Sequence, residues 1–167
     1  MGVVTNPDFI WTMAGELLDA AVTSLTDNGL HVPSHQIVSW HNPSWDCCDH
    51  IGVHFGVIKP SRAGTSGEQR HAAHEAGNIF DADFTLTYIG CAATGDPIPS
   101  DEQISENAHE MYRNAWVLYQ DLTCQFFHGE LLPELDGCKL IRIGPLQPHP
   151  PMGGCEAFTI LFTVELL

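Results

Sequence analysis

The sequence predicts an α+β fold in which two helices pack on one face of a mixed or antiparallel sheet of about five strands. Two segments repeat apolar residues at helical spacing, and shorter segments alternate apolar and polar residues with period two. Their order is helix, two strands, a third strand after a long connection, helix, and two strands. The 167 residues contain no repeat and no linker, so a single domain spanning residues 1–167 is expected.

The first helix is predicted over residues 7–29. Asn6 is a suitable N-cap, and Pro7 suits the first helical position because its ring fixes φ in the helical range. The pair Asn28-Gly29 is a common helix stop. The apolar stripe consists of Ile10, Met13, Leu17, Ala21 and Leu25.

Two strands follow, over Gln36–His41 and Cys47–Ile58. In the second strand, alternation places one set of residues on the core face, namely Ile51, Val53, Phe55 and Val57. The opposite face carries His50, Gly52, His54 and Gly56. Glycines and histidines on one face indicate either a close approach by another part of the molecule or loose packing.

A long polar connection is predicted over residues 59–79, and it contains Lys59, Arg62 and Arg70. Connections of this length in a compact domain are usually functional or disordered. The third strand alternates from Phe80 to Tyr88, with Asp81 and Asp83 among its polar positions. A solvent-facing acidic strand explains these two residues better than a catalytic carboxylate pair does, because alternation requires polar residues there.

The second helix begins after Ser100, which forms a capping-box pattern with Gln103, and it ends between Cys124 and Gly129. Tyr112, Trp116 and Tyr119 flank its aliphatic stripe. Aromatic residues in this position are usually core or packing edge, but a subunit interface uses the same residues, and both interpretations stay open.

The last two strands are predicted over Cys138–Ile143 and Phe158–Leu166. The dipeptide Gly144-Pro145 ends the first of them, and the proline-rich residues 146–154 are expected to form a loop.

The chain is strongly acidic, with 6 Lys and Arg against 21 Asp and Glu and a formal net charge of −15. Binding to nucleic acid through its phosphates needs a basic face, and so does docking on an anionic membrane. Both are therefore excluded as the main role of this chain. The hydrophobic content of 44% indicates a folded domain rather than disorder.

The motifs of known enzyme sites do not account for the chain's ten histidines and six cysteines. The residues Asp46 to His50, and the pair His71 and His74, lack the second half that a zinc site needs. The cysteines are expected to be free thiols, mostly buried. No catalytic, cofactor or metal residue is predicted, although a small metal-dependent or thiol enzyme stays an alternative.

The sequence resembles the tail terminator proteins of long-tailed phages, especially those that infect actinobacteria. Nearly the whole chain takes part in the resemblance. Its matching pieces are the opening NPDFIWTMAGELLDAAV, the strand HVPSHQIVSW, the DCCDH start of the next strand, DADFTLTYIGC, PSDEQISENAHEMYRNAWVLYQDL, and the closing GPLQPHPPMGGCEAFTILFTVEL.

The resemblance implies a structural virion protein without catalytic residues, assembled in the host cytoplasm and located at the junction of tail and neck. Six copies are expected to form a ring that caps the tail tube, ends its polymerisation and joins the head–tail connector, with DNA passing through the centre. A head-side neck, stopper or connector adaptor is the alternative. Lys59, Arg62 and Arg70 are candidate subunit-interface residues. Asp81, Asp83 and Asp96 are candidates for an acidic lumen that repels DNA.

Overall fold

Two helices and five strands make up the described part of the chain, which comprises residues 7–41, 49–60, 80–95, 97–132 and 138–166 of a computed structural model. The α+β prediction is confirmed. The helices are α1, Pro7–Asp27, and α2, Asp101–His128. The strands are β1, His35–Ser39; β2, His50–Pro60; β3, Phe80–Cys91; β4, Cys138–Met152; and β5, Cys155–Leu166. Neither helix is long and apolar enough to span a bilayer.

The five strands form one mixed sheet in the order β1-β2-β3-β5-β4. Strands β1 and β2 are parallel, and all other neighbours are antiparallel. The last strand along the chain, β5, therefore lies inside the sheet, and β1 and β4 are its edges.

Both helices pack on the same face of the sheet, as the sequence predicts. The apolar sides of β2, β3 and β5 meet there in register, so that Val53, Leu86 and Ile160 form one row across the sheet. Leu17 of α1 and Leu118 of α2 are also buried in this core. Burying a side chain of this size contributes about 1.5–3 kcal/mol, and the repetition of such rows holds the two layers together.

A polar group inside this core is fully paired. Tyr88 is 1% exposed and its ring stacks on Phe158, with centroids 5.0 Å apart. Asn114 Nδ2 of α2 donates to the Tyr88 hydroxyl at 3.2 Å. Burial raises the pKa of Tyr88 to about 12, despite the opposing effect of the Asn114 hydrogen bond.

The C-terminal end of α1 and the N-terminal end of α2 are those that the sequence predicts, and the predicted N-cap Asn6 lies outside the described residues. Gly29 adopts a left-handed φ of +62°, and the Leu30 amide returns to the Leu25 carbonyl at 2.9 Å. At the start of α2, the Ser100 hydroxyl accepts from the Gln103 amide at 3.2 Å, and the Gln103 side chain accepts from the Ser100 amide at 2.9 Å. The capping box is confirmed.

Strand β4 differs from its prediction, because it continues through Gly144-Pro145 as far as Met152. A proline cannot donate to a sheet ladder, but β4 is an edge strand and half of its amide groups need no partner. Register shifts at three places absorb the irregular residues. A two-residue turn at Gly153 and Gly154, with φ of +61° and +82°, then leads into β5.

Two further predictions are corrected. Val57 is 62% exposed rather than part of the core, because a register shift between Phe55 and Ile58 interrupts the alternation of β2. Cys91 is disulfide-bonded rather than a free thiol, and its partner is neither Cys124 nor Cys155, because neither of these two forms a disulfide. Cys155 is buried and Cys124 is exposed.

Candidate functional site

The sheet face opposite the helices carries most of the polar side chains of the strands. Residues that pair across neighbouring strands point to the same side of the sheet. The side chains on this face therefore form rows that cross the strands. One row contains Lys59, Asp81 and Glu165, and the next contains Asp83, Thr163 and Arg142. The charged residues of the strands are thus concentrated at the end of the sheet where β3 begins.

A continuous hydrogen-bonded network joins four of these side chains. Lys59 Nζ lies 2.6 Å from Asp83 Oδ2 in a part-buried ion pair. Thr163 Oγ1 donates to Asp83 Oδ1 at 2.9 Å and accepts from Arg142 Nη2 at 3.2 Å. The network spans β2, β3, β5 and β4, so it fixes the relative positions of four strands at this end of the sheet.

Asp81 adjoins this network but does not share in it. The residue is only 7% exposed, and its Oδ1 atom has no hydrogen-bond partner among the described residues. A buried carboxylate oxygen without a donor is unfavourable by several kcal/mol unless something else satisfies it. Asp81 lines a cavity of about 450 Å³ together with Lys59, Ile141, Arg142 and Thr163. We call this the Asp81 cavity.

The structure brings together residues that the sequence assigned to two different surfaces. Lys59, expected at a subunit interface, contacts Asp83, expected in an acidic lumen. Asp81 is buried and Asp83 is paired, so neither is a free surface carboxylate in the subunit. Arg62, Arg70 and Asp96 lie outside the described residues. Both the interface role and the lumen role stay predictions.

Sequence reasoning missed Arg142 and Thr163. Arg142 follows a register shift after Leu140, so simple alternation along β4 does not place it beside Thr163. Thr163 lies in a regular strand. Threonine is common in strands, so its presence there does not single it out as a site residue. One signal for Arg142 was available in the sequence. Lys and Arg are rare in this chain, and Arg142 is one of only six such residues.

Histidines occupy the opposite end of the same sheet face. His50 is 7% exposed, and within the described ranges its Nε2 atom has no partner. His54 is 8% exposed, and its Nδ1 atom lies 3.5 Å from Thr87 Oγ1. Burial lowers the pKa of both residues, and the nearby His35 and His41 lower it further. Gly52 lies between these two histidines in β2. A residue with a side chain does not fit there, because its Cβ would come within 2.9 Å of the Ile37 carbonyl oxygen. This accounts for one of the predicted close approaches.

A second polar region lies between α2 and the chain that leads into β1. The His31 Nε2 atom and the Asp49 carboxylate are hydrogen-bonded there. Burial raises the pKa of Asp49, but hydrogen bonds from His31 and Ser34 outweigh it and lower the pKa from 3.8 to about 2. Two shallow clefts of about 350 and 340 Å³ share His31, Glu110 and Asn114. Within the described ranges, no group of three or more His, Cys, Asp or Glu residues is placed to hold a metal ion.

The aromatic residues of α2 separate into two environments. Tyr119 packs inward and donates its hydroxyl to the Gly144 carbonyl at 3.2 Å. Tyr112 and Trp116 are 61% and 50% exposed, and they lie one helical turn apart. A second exposed group consists of Trp11 and Trp40, whose rings lie 5.4 and 5.7 Å from that of Phe55. We call these the α2 aromatic surface and the tryptophan cluster.

No protein-family model and no curated protein matches this chain.

Proposed function

We propose that this chain is a structural subunit of a phage virion, a tail terminator that forms a ring on the end of the tail tube. The ring ends tube polymerisation and provides the surface that joins the head–tail connector. The resemblance of the sequence segments quoted above to that family motivates this proposal.

One structural observation carries the proposal: the subunit exposes large aromatic side chains on two separate surfaces. A ring with rotational symmetry needs two different patches on each subunit, because the contact is head-to-tail. The tryptophan cluster and the α2 aromatic surface are two such patches, with Trp40 71% and Tyr112 61% exposed. Tryptophan and tyrosine are also the residues most enriched at interfaces.

The net charge of −15 agrees with this role. A ring around a DNA passage has to let a polyanion move without binding it, and an acidic subunit repels the phosphates.

Electron microscopy of phage particles assembled without this protein tests the proposal. A tail terminator limits the length of the tube, so we expect abnormally long tubes that fail to join heads. Adding back the purified protein should restore tails of uniform length. Free tails of normal length would contradict the proposal and favour the head-side neck or stopper alternative.

A further inference from the structure

Cys91 forms a disulfide whose partner follows by elimination among the six cysteines of the chain. Cys124 and Cys155 form no disulfide. Cys138 pairs with Leu166, the last residue of β5, whereas Cys91 pairs with the first residue of that strand. The two ends of such a strand lie about 36 Å apart. The Cα atoms of a disulfide lie within about 7 Å of each other, so Cys138 is excluded.

The remaining cysteines are the adjacent Cys47 and Cys48, which lie outside the described residues. They directly precede Asp49, and Asp49 lines the same cleft of about 350 Å³ as Cys91. One or two residues of chain span about 3.5–7 Å. A cysteine at either position is therefore within reach of Cys91, and the disulfide links the end of β3 to the segment that precedes β2.

Cys155 lies directly across from Cys91 on the neighbouring strand β5. The Ala92 amide donates to the Gly154 carbonyl at 2.9 Å, so these two residues form a hydrogen-bonded pair. Hydrogen-bonded and non-hydrogen-bonded pairs alternate in an antiparallel ladder. Cys91 and Cys155 are therefore a non-hydrogen-bonded pair, with Cα atoms about 4.5 Å apart. That separation lies within the range of about 4.4–6.8 Å that a disulfide requires.

The strand order places the present partner of Cys91 and the Cys155 thiol on opposite sides of it. Strand β3 lies between β2 and β5, so the segment before β2 approaches Cys91 from one side and Cys155 approaches from the other. This is the arrangement in which one sulfur can enter as another leaves. Cys91 is exposed and Cys155 is only 3% exposed. Exposed disulfides are the labile ones, whereas burial shields the Cys155 thiol from reagents in solution.

We propose that Cys91 is the exchange point of a thiol–disulfide switch, in which its disulfide passes from the Cys47-Cys48 pair to Cys155. The Cys155 thiolate attacks Cys91 Sγ, and the bond between them forms as the bond to the first partner breaks. The released thiolate takes up the proton that Cys155 lost. One disulfide is present before and after, so the exchange needs no oxidant or reductant. It moves the cross-link of β3 from the start of β2 to β5, and it is independent of the proposed function.

Alkylation of the oxidised, folded, full-length protein tests the exchange. Excess N-ethylmaleimide captures the thiolate that the exchange releases. We therefore expect the peptide with Cys47 and Cys48 to go from one alkyl group to two, while a cross-link between Cys91 and Cys155 accumulates. Non-reducing peptide mapping by mass spectrometry measures both. In Cys155→Ala, the peptide should keep one alkyl group and its disulfide to Cys91.

Replacing both Cys47 and Cys48 with serine tests the geometry of the second disulfide alone. In an oxidised glutathione buffer, this variant should form the bond between Cys91 and Cys155, because no other cysteine is within reach. The matched control is Cys124→Ser, which changes an exposed cysteine that forms no disulfide and should give the wild-type map. Far-UV circular dichroism checks that each variant is folded.

The contrary outcomes are equally defined. A disulfide between Cys91 and Cys138 would overturn the assignment of the first partner. The switch is wrong if the wild-type peptide never gains its second alkyl group, or if the folded serine variant leaves Cys91 and Cys155 both as thiols. Should the serine variant not fold, the alkylation of the wild type decides alone. None of these outcomes bears on the tail-length experiment, which tests the proposed function.

Discussion

At the scale of single residues, the buried histidines on the sheet face opposite the helices link the free energy of unfolding to pH. His50 and His54 are both less than 10% exposed and have pKa values lowered by burial. In the unfolded chain a histidine titrates near pH 6.5. As the pH falls below that value, the unfolded state takes up protons before the folded state does, and the free energy of unfolding decreases.

We therefore expect the stability contribution of His50 and His54 to be complete above about pH 6.5 and to be lost as the pH falls through the lower, folded-state pKa values. Denaturant melts between pH 7.5 and 5 measure this. Replacing both residues by glutamine should make the decline shallower. The exposed His109→Gln is the matched control, and an equally shallow decline in that variant would contradict the explanation.

At the scale of elements, the start of α2 depends on its capping box. The Ser100 hydroxyl satisfies the Gln103 amide, which has no partner within the helix. Ser100→Ala should lower the free energy of unfolding by about 1 kcal/mol, whereas Ser100→Asp, which keeps an acceptor, should change it little. Chemical denaturation checks both. A loss of the same size in the two variants would show that the cap is not the cause.

The elements also show what could and could not be predicted from the sequence. Both helices were predicted, because caps and apolar spacing are local signals, and β3 and β5 were predicted from strict alternation. The sequence predicts that the fourth strand ends at Ile143, before Gly144-Pro145, whereas β4 continues to Met152, because an edge strand tolerates proline. That information is tertiary and is not present in the local sequence.

The contacts around the Asp81 cavity likewise depend on tertiary structure that the local sequence does not contain. Lys59, Asp81 and Asp83 were recognised as candidates from their charge, but the ion pair of Lys59 with Asp83 depends on the pairing of β2 with β3. Arg142 and Thr163 enter only through the pairing of β4 with β5, across a register shift. The charges of Lys59, Asp81 and Asp83 identify them as candidates in the sequence. The order of the strands determines which residues they contact.

At the scale of the whole molecule, the two-layer fold leaves aromatic side chains outside the core. Trp116 is 50% exposed, so about half of its side chain packs on the subunit and half is available to a partner. Trp116→Ala should lower the free energy of unfolding by roughly 1–3 kcal/mol and leave the subunit folded. It should weaken self-association about 30-fold or more if Trp116 is a central interface residue.

Sedimentation velocity over a range of concentrations measures this loss, and thermal melts confirm that the subunit stays folded. The control is Ile98→Ala, which truncates a side chain that is 88% exposed just before α2. Unchanged association of the Trp116 variant would exclude the α2 aromatic surface from the interface.

The position of β5 inside the sheet has a consequence for biosynthesis. Strands β3 and β4 are neighbours of β5 but not of each other, so they cannot join until residues 155–166 have left the ribosome. A nascent chain that ends before that point presents unpaired inner edges of both strands, which are sites for wrong association. For the proposed ring subunit, this means that no copy can present a finished sheet to another copy before β5 has been synthesised.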